Sequence, residues 1–235
     1  MKGTLYLIPS MLGEDSSTDV LPPVIRQVAG ELRHFIVEDV RSARRFLKKI
    51  NPEIIIDECS FLILNEHTPS EEIAQLLTPL NEGHHVGLIS EAGLPCVADP
   101  GSTLVSYAHE NGVKVVPLSG PSSIFLALMA SGFNGQNFVF HGYLPVDKRE
   151  RIQKIKEIET TAFQKNQTQI FIETPYRNNQ MLESLIVACK PETKICIAFD
   201  LTLPGETIIQ STAKRLNMNT RPDLNKKPAV FLLYF

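Results

Sequence analysis

The sequence predicts an α/β protein built from two α/β domains. Short runs rich in β-branched and aromatic residues alternate with helical patterns along the chain, which is typical of sheets covered by helices on both faces. With 235 residues, 43% of them hydrophobic, the chain is long enough to form two cores. A turn-rich segment at 117–121 separates two series of elements. We therefore predict an N-terminal domain with a mostly parallel sheet at 1–117 and a C-terminal domain with a mixed sheet at 118–235.

In the first series, helix signals separate five predicted strands. The strands are at 4–9, 34–39, 61–65, 85–90 and 113–118. Thr68, Pro69 and Glu71 have the spacing of a capping box with proline in the first helical turn. Asp99-Pro100 predicts the start of a further helix, and Gly112 predicts its end in a left-handed conformation.

The second series begins with an uncharged helix at 121–131. Because this segment carries no charge, we expect it to be buried on nearly every side. Four predicted strands follow, with amphipathic helices near 148–160 and 175–189; the strands are at 137–144, 169–174, 194–200 and 229–235. Arg177, near the start of the last helix, is predicted either to hold that helix start or to face an acidic substrate.

Composition excludes several classes of protein. A formal net charge of −3 argues against binding nucleic acid with the whole surface, although a local basic patch remains possible. The four cysteines form no CxxC pair, which favours reduced thiols in a cytoplasmic protein and no metal site. The apolar runs are too short for a secretory signal or a membrane span. No dinucleotide, P-loop, zinc-hydrolase or serine-hydrolase motif is present.

The segment between the fourth strand and the next helix is unusual. Residues 90–101 combine two glycines, two prolines and two acidic residues at the carboxyl end of a predicted parallel strand. Ligands of parallel sheets bind at this edge, and glycines allow the backbone to approach a ligand closely. The segment alone is equally compatible with a capped connector.

Eight segments, in order along the chain, resemble the tetrapyrrole-methylase superfamily, and within it the branch of bacterial small-subunit ribosomal RNA methyltransferases. They are VGLISEAGLPCVADPG at 86–101, IPSMLGE at 8–14, VEDVRSARRFL at 37–47, NEHTPSEEI at 65–73, VVPLSGPSSIFLALMASG at 115–132, FVFHGYLP at 138–145, FIETPYR at 171–177 and DLTLPGE at 200–206.

The resemblance implies two α/β domains that bind S-adenosylmethionine (SAM) in the cleft between them, and a homodimer. By motif position it implies cofactor contacts from six residues: Leu12, Glu91, Leu94, Ser122, Ser123 and Ile172. It also implies methyl transfer to RNA, with a cytidine ribose 2′-oxygen of small-subunit rRNA as the acceptor.

Transfer to a ribose hydroxyl removes a proton, so a nearby base is expected to help. Four residues near predicted strand ends are candidates: Glu38, Asp39, Glu66 and His67. Capping or solvation is the alternative role for each. Our prediction for the catalytic residues is Glu66 and His67.

The acceptor is the least determined part of the function. On a helix at 41–49, Arg41, Arg45 and Lys48 share one face, which predicts either phosphate contacts with rRNA or a solvated surface. Two alternative functions remain open: methylation of a small tetrapyrrole-type acceptor, and a SAM- or RNA-binding module without turnover.

Overall fold

The chain forms two compact units, Met1–Ser122 and Ser123–Phe235, in a computed structural model that describes residues 1–65, 67–218 and 221–235. The predicted domain boundary between residues 117 and 118 lies five residues before the division between the units. The domain ranges themselves stay a prediction.

The first unit is a parallel sheet with helices between its strands. In chain order its elements are β1 Thr4–Ile8, α1 Pro23–Glu31, β2 His34–Val37, α2 Val40–Ile50, β3 Ser60–Ile63, α3 Ser70–Ile73, α4 Thr78–Asn81, β4 Val86–Ile89, α5 Gly101–Glu110 and β5 Lys114–Pro117. Short 3-10 helices occur at Thr18–Val20, Ile56–Glu58 and Ala74–Leu77. The strand order is β3-β2-β4-β1-β5, and every neighbouring pair is parallel.

Alternate side chains of these strands enter two cores, one on each face of the sheet. Phe35 and Val37 of β2 pack with residues of α1 and α2, whereas Ile36 between them packs with Leu104 of α5 on the opposite face. A sheet that is buried on both faces needs strands with almost no polar residues, and all four residues of β4 are buried.

The second unit contains a mixed sheet. Its elements are α6 Ser123–Ser131, β6 Phe138–Tyr143, α7 Lys148–Lys165, β7 Thr168–Glu173, α8 Asn178–Ala188, β8 Lys194–Phe199, β9 Thr207–Thr212, α9 Ala213–Met218 and β10 Ala229–Tyr234. The strand order is β6-β7-β10-β8-β9, with β6 and β7 parallel and the other neighbours antiparallel. Its main core joins one face of the sheet to α7, α8 and α9. The predicted α/β fold class is confirmed in both units.

Two local predictions are wrong, and one strand was not predicted. Helix α6 buries Ile124, Ala127 and Leu128, but Phe125 and Met129 are 51% and 79% exposed. An uncharged sequence therefore does not by itself bury both faces of a helix. Thr68 does not cap a helix, because its hydroxyl accepts a hydrogen bond from the Asn65 N–H in a turn. The sequence also gave no sign of β9, whose exposed and half-buried residues make it a polar edge strand.

Candidate functional site

The carboxyl edge of the first sheet gathers four loops on one side of the first unit. Strands β1, β2, β4 and β5 are parallel, so the segments that follow them leave the sheet in the same direction. These segments are 9–16 after β1, 38–39 after β2, 90–100 after β4 and 118–122 after β5. Ligand sites of parallel α/β sheets lie at this edge.

Direct contacts hold three of these loops together. The Ser10 N–H donates to the Gly93 carbonyl with an N to O distance of 2.9 Å, and the Ser90 hydroxyl donates to the same carbonyl at 3.1 Å. A Cβ on Gly93, where φ is +76°, would lie 3.1 Å from the Leu12 side chain. A Cβ on Gly120 would lie 2.2 Å from the Cβ of Pro9. Both glycines therefore allow an approach that any larger residue would prevent.

Asp99 fixes the shape of the 90–100 loop. Its Oδ1 atom accepts hydrogen bonds from the Cys96 and Gly101 N–H groups at 3.2 and 2.9 Å. Cys96 and Ala98 both have left-handed backbone conformations, with φ of 69° and 60°. Such conformations are costly for residues other than glycine and persist where the surroundings impose them. Asp99 therefore stabilises the turn at residues 96–101, in which Cys96 and Ala98 adopt these conformations.

Two adjoining cavities open at this edge, both within the first unit. The larger, of about 460 Å³, lies between the 10–15 loop and α2. The smaller, of about 30 Å³, is lined by residues that include Glu38, Asp39 and Ser90. Ser42 and Glu91 line both. The smaller cavity has room for about one water molecule or hydroxyl group, whereas the larger accommodates a group of several rings.

The larger cavity contains a buried polar atom and charges of both signs. Ser10 is 3% exposed, and its hydroxyl has no hydrogen-bond partner among the described residues. On the cavity wall Arg45 pairs with Glu14 at 3.0 Å, and the Lys49 ammonium donates to the Glu14 and Ser16 carbonyls. The charged side chains therefore offer a polar ligand partners on the wall of this cavity.

Glu38 has an unusual electrostatic environment for a residue that follows a strand. It is half-buried, and the Glu91 N–H donates to its Oε1 atom at 3.3 Å. Burial is the largest effect on its carboxyl group, and the acidic side chains of Asp99 and Glu91 add to it. Together they raise the pKa of Glu38 to about 7, although the Glu91 N–H partly offsets the rise. A carboxyl group of this kind exchanges a proton near neutral pH.

The structure brings four of the six predicted cofactor residues to this edge. Leu12 lies in the first loop, Glu91 and Leu94 in the 90–100 loop, and Ser122 at the end of the first unit. Ser122 is 9% exposed and follows Pro121, whose carbonyl lies near Gly93. Ser123 begins α6, and Ile172 is a half-buried residue of β7; both belong to the second unit.

Of the predicted catalytic residues, His67 follows β3, which runs parallel beside β2 and ends at the same edge of the sheet. Glu66 is not among the described residues. His67 is exposed, follows the edge strand β3, and donates its backbone N–H to Asn65 Oδ1 at 2.9 Å. Asp39, the other exposed candidate, caps α2 by accepting from the Ser42 N–H at 2.7 Å, which lowers the pKa of Asp39. Of the described candidates, Glu38 is the one that lines a cavity and has a raised pKa.

The predicted basic surface lies on α2. Arg41, Arg45 and Lys48 are exposed, as the helical spacing requires. Two of the three already have partners, because Arg45 pairs with Glu14 and the Lys48 ammonium donates to the Pro52 carbonyl at 2.8 Å. Arg45 also lines the larger cavity, so one residue of the basic surface of α2 belongs to the cavity wall.

Arg177 of the second unit holds a helix start. Its guanidinium contacts Glu173 Oε1 at 2.6 Å, and the Thr174 N–H donates to the same oxygen at 2.7 Å. Glu173 is 5% exposed, and its Oε2 atom has no partner among the described residues. Arg177 precedes the first residue of α8, so the ion pair joins the end of β7 to that helix.

The described parts of the chain show neither a metal site nor a membrane-spanning helix. No group of three or more His, Cys, Asp or Glu side chains is placed there to hold a metal ion. No described helix is long and apolar enough to cross a membrane. All four cysteines are free, and burial raises the pKa of Cys196 to about 12.

Comparison with known proteins identifies the family. The family model described as tetrapyrrole (corrin/porphyrin) methylases matches residues 13–217. The chain belongs to the tetrapyrrole methylase family. A relative from Vibrio cholerae, ribosomal RNA small subunit methyltransferase I, is 31% identical over 229 residues, which cover 97% of this chain and 75% of the relative. The resemblance found in the sequence motifs is therefore confirmed.

Solved structures show the same fold over nearly the whole chain. The methyltransferase CobJ superposes with a TM-score of 0.66 at 18% identity, covering 99% of this chain and 94% of that one. Uroporphyrin-III C-methyltransferase from Thermus thermophilus, complexed with S-adenosylhomocysteine, superposes with a TM-score of 0.57 at 16% identity. The match covers 99% of this chain and 97% of that one. This tetrapyrrole methylase is a SAM-dependent methyltransferase, and the predicted activity and cofactor are confirmed.

Proposed function

We propose that this enzyme methylates the ribose 2′-oxygen of a cytidine in small-subunit ribosomal RNA. The observation that carries the proposal is the similarity to the Vibrio cholerae rRNA methyltransferase, which extends over 97% of the chain and therefore includes both units. Exposed cations on α2 and a polar cavity beside them add support, because RNA presents phosphates and hydroxyl groups.

The cofactor site proposed here uses the loops at the carboxyl edge of the first sheet. Leu12, Leu94 and Ser122 belong to loops that contact one another, and Glu91 begins the 90–100 loop. Ser123 and Ile172 belong to the second unit and stay predictions from their motif positions. Backbone groups at the strand ends, with Leu12 and Leu94 beside them, suit a ligand whose adenosine and methionine parts offer hydrogen-bonding groups of both kinds.

Positioning accounts for most of the chemistry in this proposal. The acceptor oxygen displaces S-adenosylhomocysteine from the methyl group in line, so the enzyme must align oxygen, carbon and sulfur. The 90–100 loop is suited to that task because Asp99 stabilises its turn at residues 96–101.

Methylation of a small tetrapyrrole is the second candidate, and the description of the family model favours it. The cavity at the 10–15 loop carries the charged side chains of Glu14, Arg45 and Lys49 beside the apolar Met11 and Phe46. Because a uroporphyrin-type macrocycle also carries carboxylates, this mixed lining suits either acceptor, and the experiment with labelled SAM separates them. A module without turnover is no longer needed to explain the chain.

We also propose a homodimer in the cytoplasm. The exposed side chains of Phe125 and Met129 lie one turn apart on α6 and form an apolar stripe that favours burial against another surface. Light scattering tests this: the dimer mass is expected for the parent, and a Phe125→Glu, Met129→Glu variant is expected at the monomer mass. A parent that stays at the 26.2 kDa monomer mass at all concentrations contradicts the dimer.

The acceptor is tested with SAM that carries a labelled methyl group. Purified enzyme is incubated with small ribosomal subunits from a strain that lacks this modification, and with uroporphyrinogen III as the tetrapyrrole substrate. We expect label in the rRNA, located by mass mapping at one ribose, and none in the tetrapyrrole. Label in the tetrapyrrole alone supports the second candidate, and its absence from both contradicts the proposal.

A further inference from the structure

We propose that Glu38 is the catalytic base and that the small cavity beside it receives the attacking ribose hydroxyl. The inference rests on the proposed function, since it requires a hydroxyl acceptor. It assigns the base to a residue other than Glu66 and His67.

The sizes of the two cavities match the two parts of a nucleoside acceptor. About 30 Å³ holds a single oxygen with its hydrogen, and about 460 Å³ holds a sugar with its base. Ser42 and Glu91 line both spaces. A nucleoside in the larger cavity is therefore able to direct one hydroxyl into the smaller one, where Glu38 forms part of the wall.

Glu38 is the least stabilised carboxylate around the small cavity. Asp39 also lines it, but two hydrogen bonds from Ser42, at 2.7 and 2.9 Å, commit Asp39 to capping α2. Glu38 accepts one long hydrogen bond, 3.3 Å from the Glu91 N–H, and its carboxyl group also shares a hydrogen bond with that of Asp99. Because each carboxylate oxygen has two lone-pair sites, Glu38 keeps acceptor capacity for the hydroxyl group of the substrate.

The charged groups that face Glu38 favour its taking up a proton. Asp99 and Glu91, both from the loop after β4, are the neighbours whose negative charge acts on it, and burial acts in the same direction. These effects place the pKa of Glu38 at about 7, so near neutral pH a substantial fraction is ionised and ready to accept a proton. Asp99 cannot easily move away, because the Cys96 and Gly101 N–H groups hold its Oδ1 atom.

The reaction step balances with these groups. The ribose 2′-oxygen forms a bond to the methyl carbon, and the bond between that carbon and the sulfonium sulfur breaks. The electron pair of the broken bond stays on sulfur, which gives neutral S-adenosylhomocysteine. The hydroxyl proton passes to the Glu38 carboxylate, and later exchange with water restores the ionised form.

The test is the rate of methyl transfer to small ribosomal subunits. The rate is measured from about pH 5.5 to about pH 8.5. The proteins compared are the parent, Glu38→Gln, Glu38→Asp and the control Glu53→Gln. Glu53 is an exposed carboxylate after α2. The parent rate is expected to rise with pH and to level off above about pH 7, because the ionised form of Glu38 is the active one.

Glu38→Gln is expected to lower kcat by about 10²-fold and to abolish the rise with pH, whereas Glu38→Asp keeps a pH-dependent rate at a reduced kcat. Titration with SAM checks that each variant is folded and binds the cofactor with an affinity within about twofold of the parent. Glu53→Gln is expected to behave like the parent.

Three results overturn the inference, and they are distinguishable. If the parent methylates rRNA and Glu38→Gln keeps both the rate and the pH profile, Glu38 is not the base but the proposed function stands. If the parent binds SAM and transfers no methyl group to RNA, the proposed function fails and the inference fails with it. A uniform loss of rate in Glu38→Gln with the pH rise retained assigns Glu38 a structural role and also overturns the inference.

Discussion

Two glutamates at equivalent places in the two sheets have opposite surroundings. Glu38 follows β2 in the first unit, and Glu173 ends β7 in the second. Glu173 faces a cation, since Arg177 contacts it at 2.6 Å and the Thr174 N–H adds a second hydrogen bond. Glu38 faces the acidic residues Asp99 and Glu91, with one long hydrogen bond from a backbone N–H.

The difference shows how neighbours, rather than position in a sheet, decide what a carboxylate does. A buried carboxylate with a cation stays ionised and holds two elements together, whereas one that faces negative charge binds a proton more readily. Glu173 thus joins β7 to α8, and Glu38 is suited to proton exchange. Perturbed acids in a cavity mark functional sites more often than ion-paired ones do.

The largest expected effect comes from removing the cation of the second unit. Arg177→Met leaves the Glu173 carboxylate buried without its partner, which we expect to lower the free energy of unfolding by about 3 kcal/mol. Urea denaturation measures the change. Arg149→Met, at an exposed position of α7, is the control and is expected to change stability by less than about 0.5 kcal/mol. Equal stability of the two variants would show that the ion pair contributes nothing.

Much of the fold was predictable because its signals are local. Strands β1, β2, β4 and β5 all lie within the predicted ranges, since runs of β-branched and apolar residues bounded by turn residues specify buried strands. The exposure of individual side chains was less predictable. Helix α6 is apolar throughout, yet Met129 is 79% exposed, because which face of a helix meets the core depends on distant residues.

The next largest effect on stability is expected where two loops of the first unit approach each other closely. In Gly120→Ala the new Cβ would lie 2.2 Å from the Cβ of Pro9, so the loops must separate. We expect a loss of about 2 kcal/mol in stability, and SAM affinity lower by about tenfold because the proposed cofactor wall is displaced. Gly135→Ala is the matched control, since no atom lies within 4 Å of its new Cβ. Calorimetry that finds unchanged SAM affinity in Gly120→Ala would remove this loop pair from the cofactor site.

A smaller effect is expected from the pH dependence of stability at Glu38. Its pKa is raised in the folded state, so its contribution is fully present below the unfolded value of about 4.5 and is lost as the pH rises through about 7. Glu38→Gln should therefore lose less stability than the parent between those two pH values. Solvent screening of a half-buried group limits the difference to about 1 kcal/mol. Parallel curves of unfolding free energy against pH for parent and variant would contradict the raised pKa.

The candidate site was only partly predictable from the sequence. Leu12, Glu91, Leu94 and Ser122, chosen by motif position, lie in loops that share an edge, because a motif records a local backbone shape. Motif positions do not show which of Glu38, Asp39 and His67 is suited to act as the base. The suitability of Glu38 depends on Asp99, which is distant in sequence and contacts Glu38 only after β2 and β4 pair.

The smallest effect on stability is expected at the exposed ion pair of the first unit, which contrasts with the buried pair of the second. The Arg45 and Glu14 side chains are 57% and 81% exposed, so the pair is largely screened by water. Replacing Arg41, Arg45 and Lys48 together by Gln should change the free energy of unfolding by less than about 1 kcal/mol. This is far less than one change at Arg177 is expected to cost.

The same triple variant should nevertheless affect RNA binding strongly. Each phosphate neutralised on a single strand contributes a slope of about −0.7 to the dependence of log affinity on log salt concentration, so three lost contacts would flatten that slope by about 2. Binding of an rRNA fragment is measured between about 50 and about 200 mM salt, with SAM affinity expected to stay unchanged. The control replaces Lys148 and Lys156, on exposed positions of α7, by Gln. If the variant binds the fragment with the slope of the parent, the α2 cations form a solvated surface, and the RNA must be bound by another part of the enzyme.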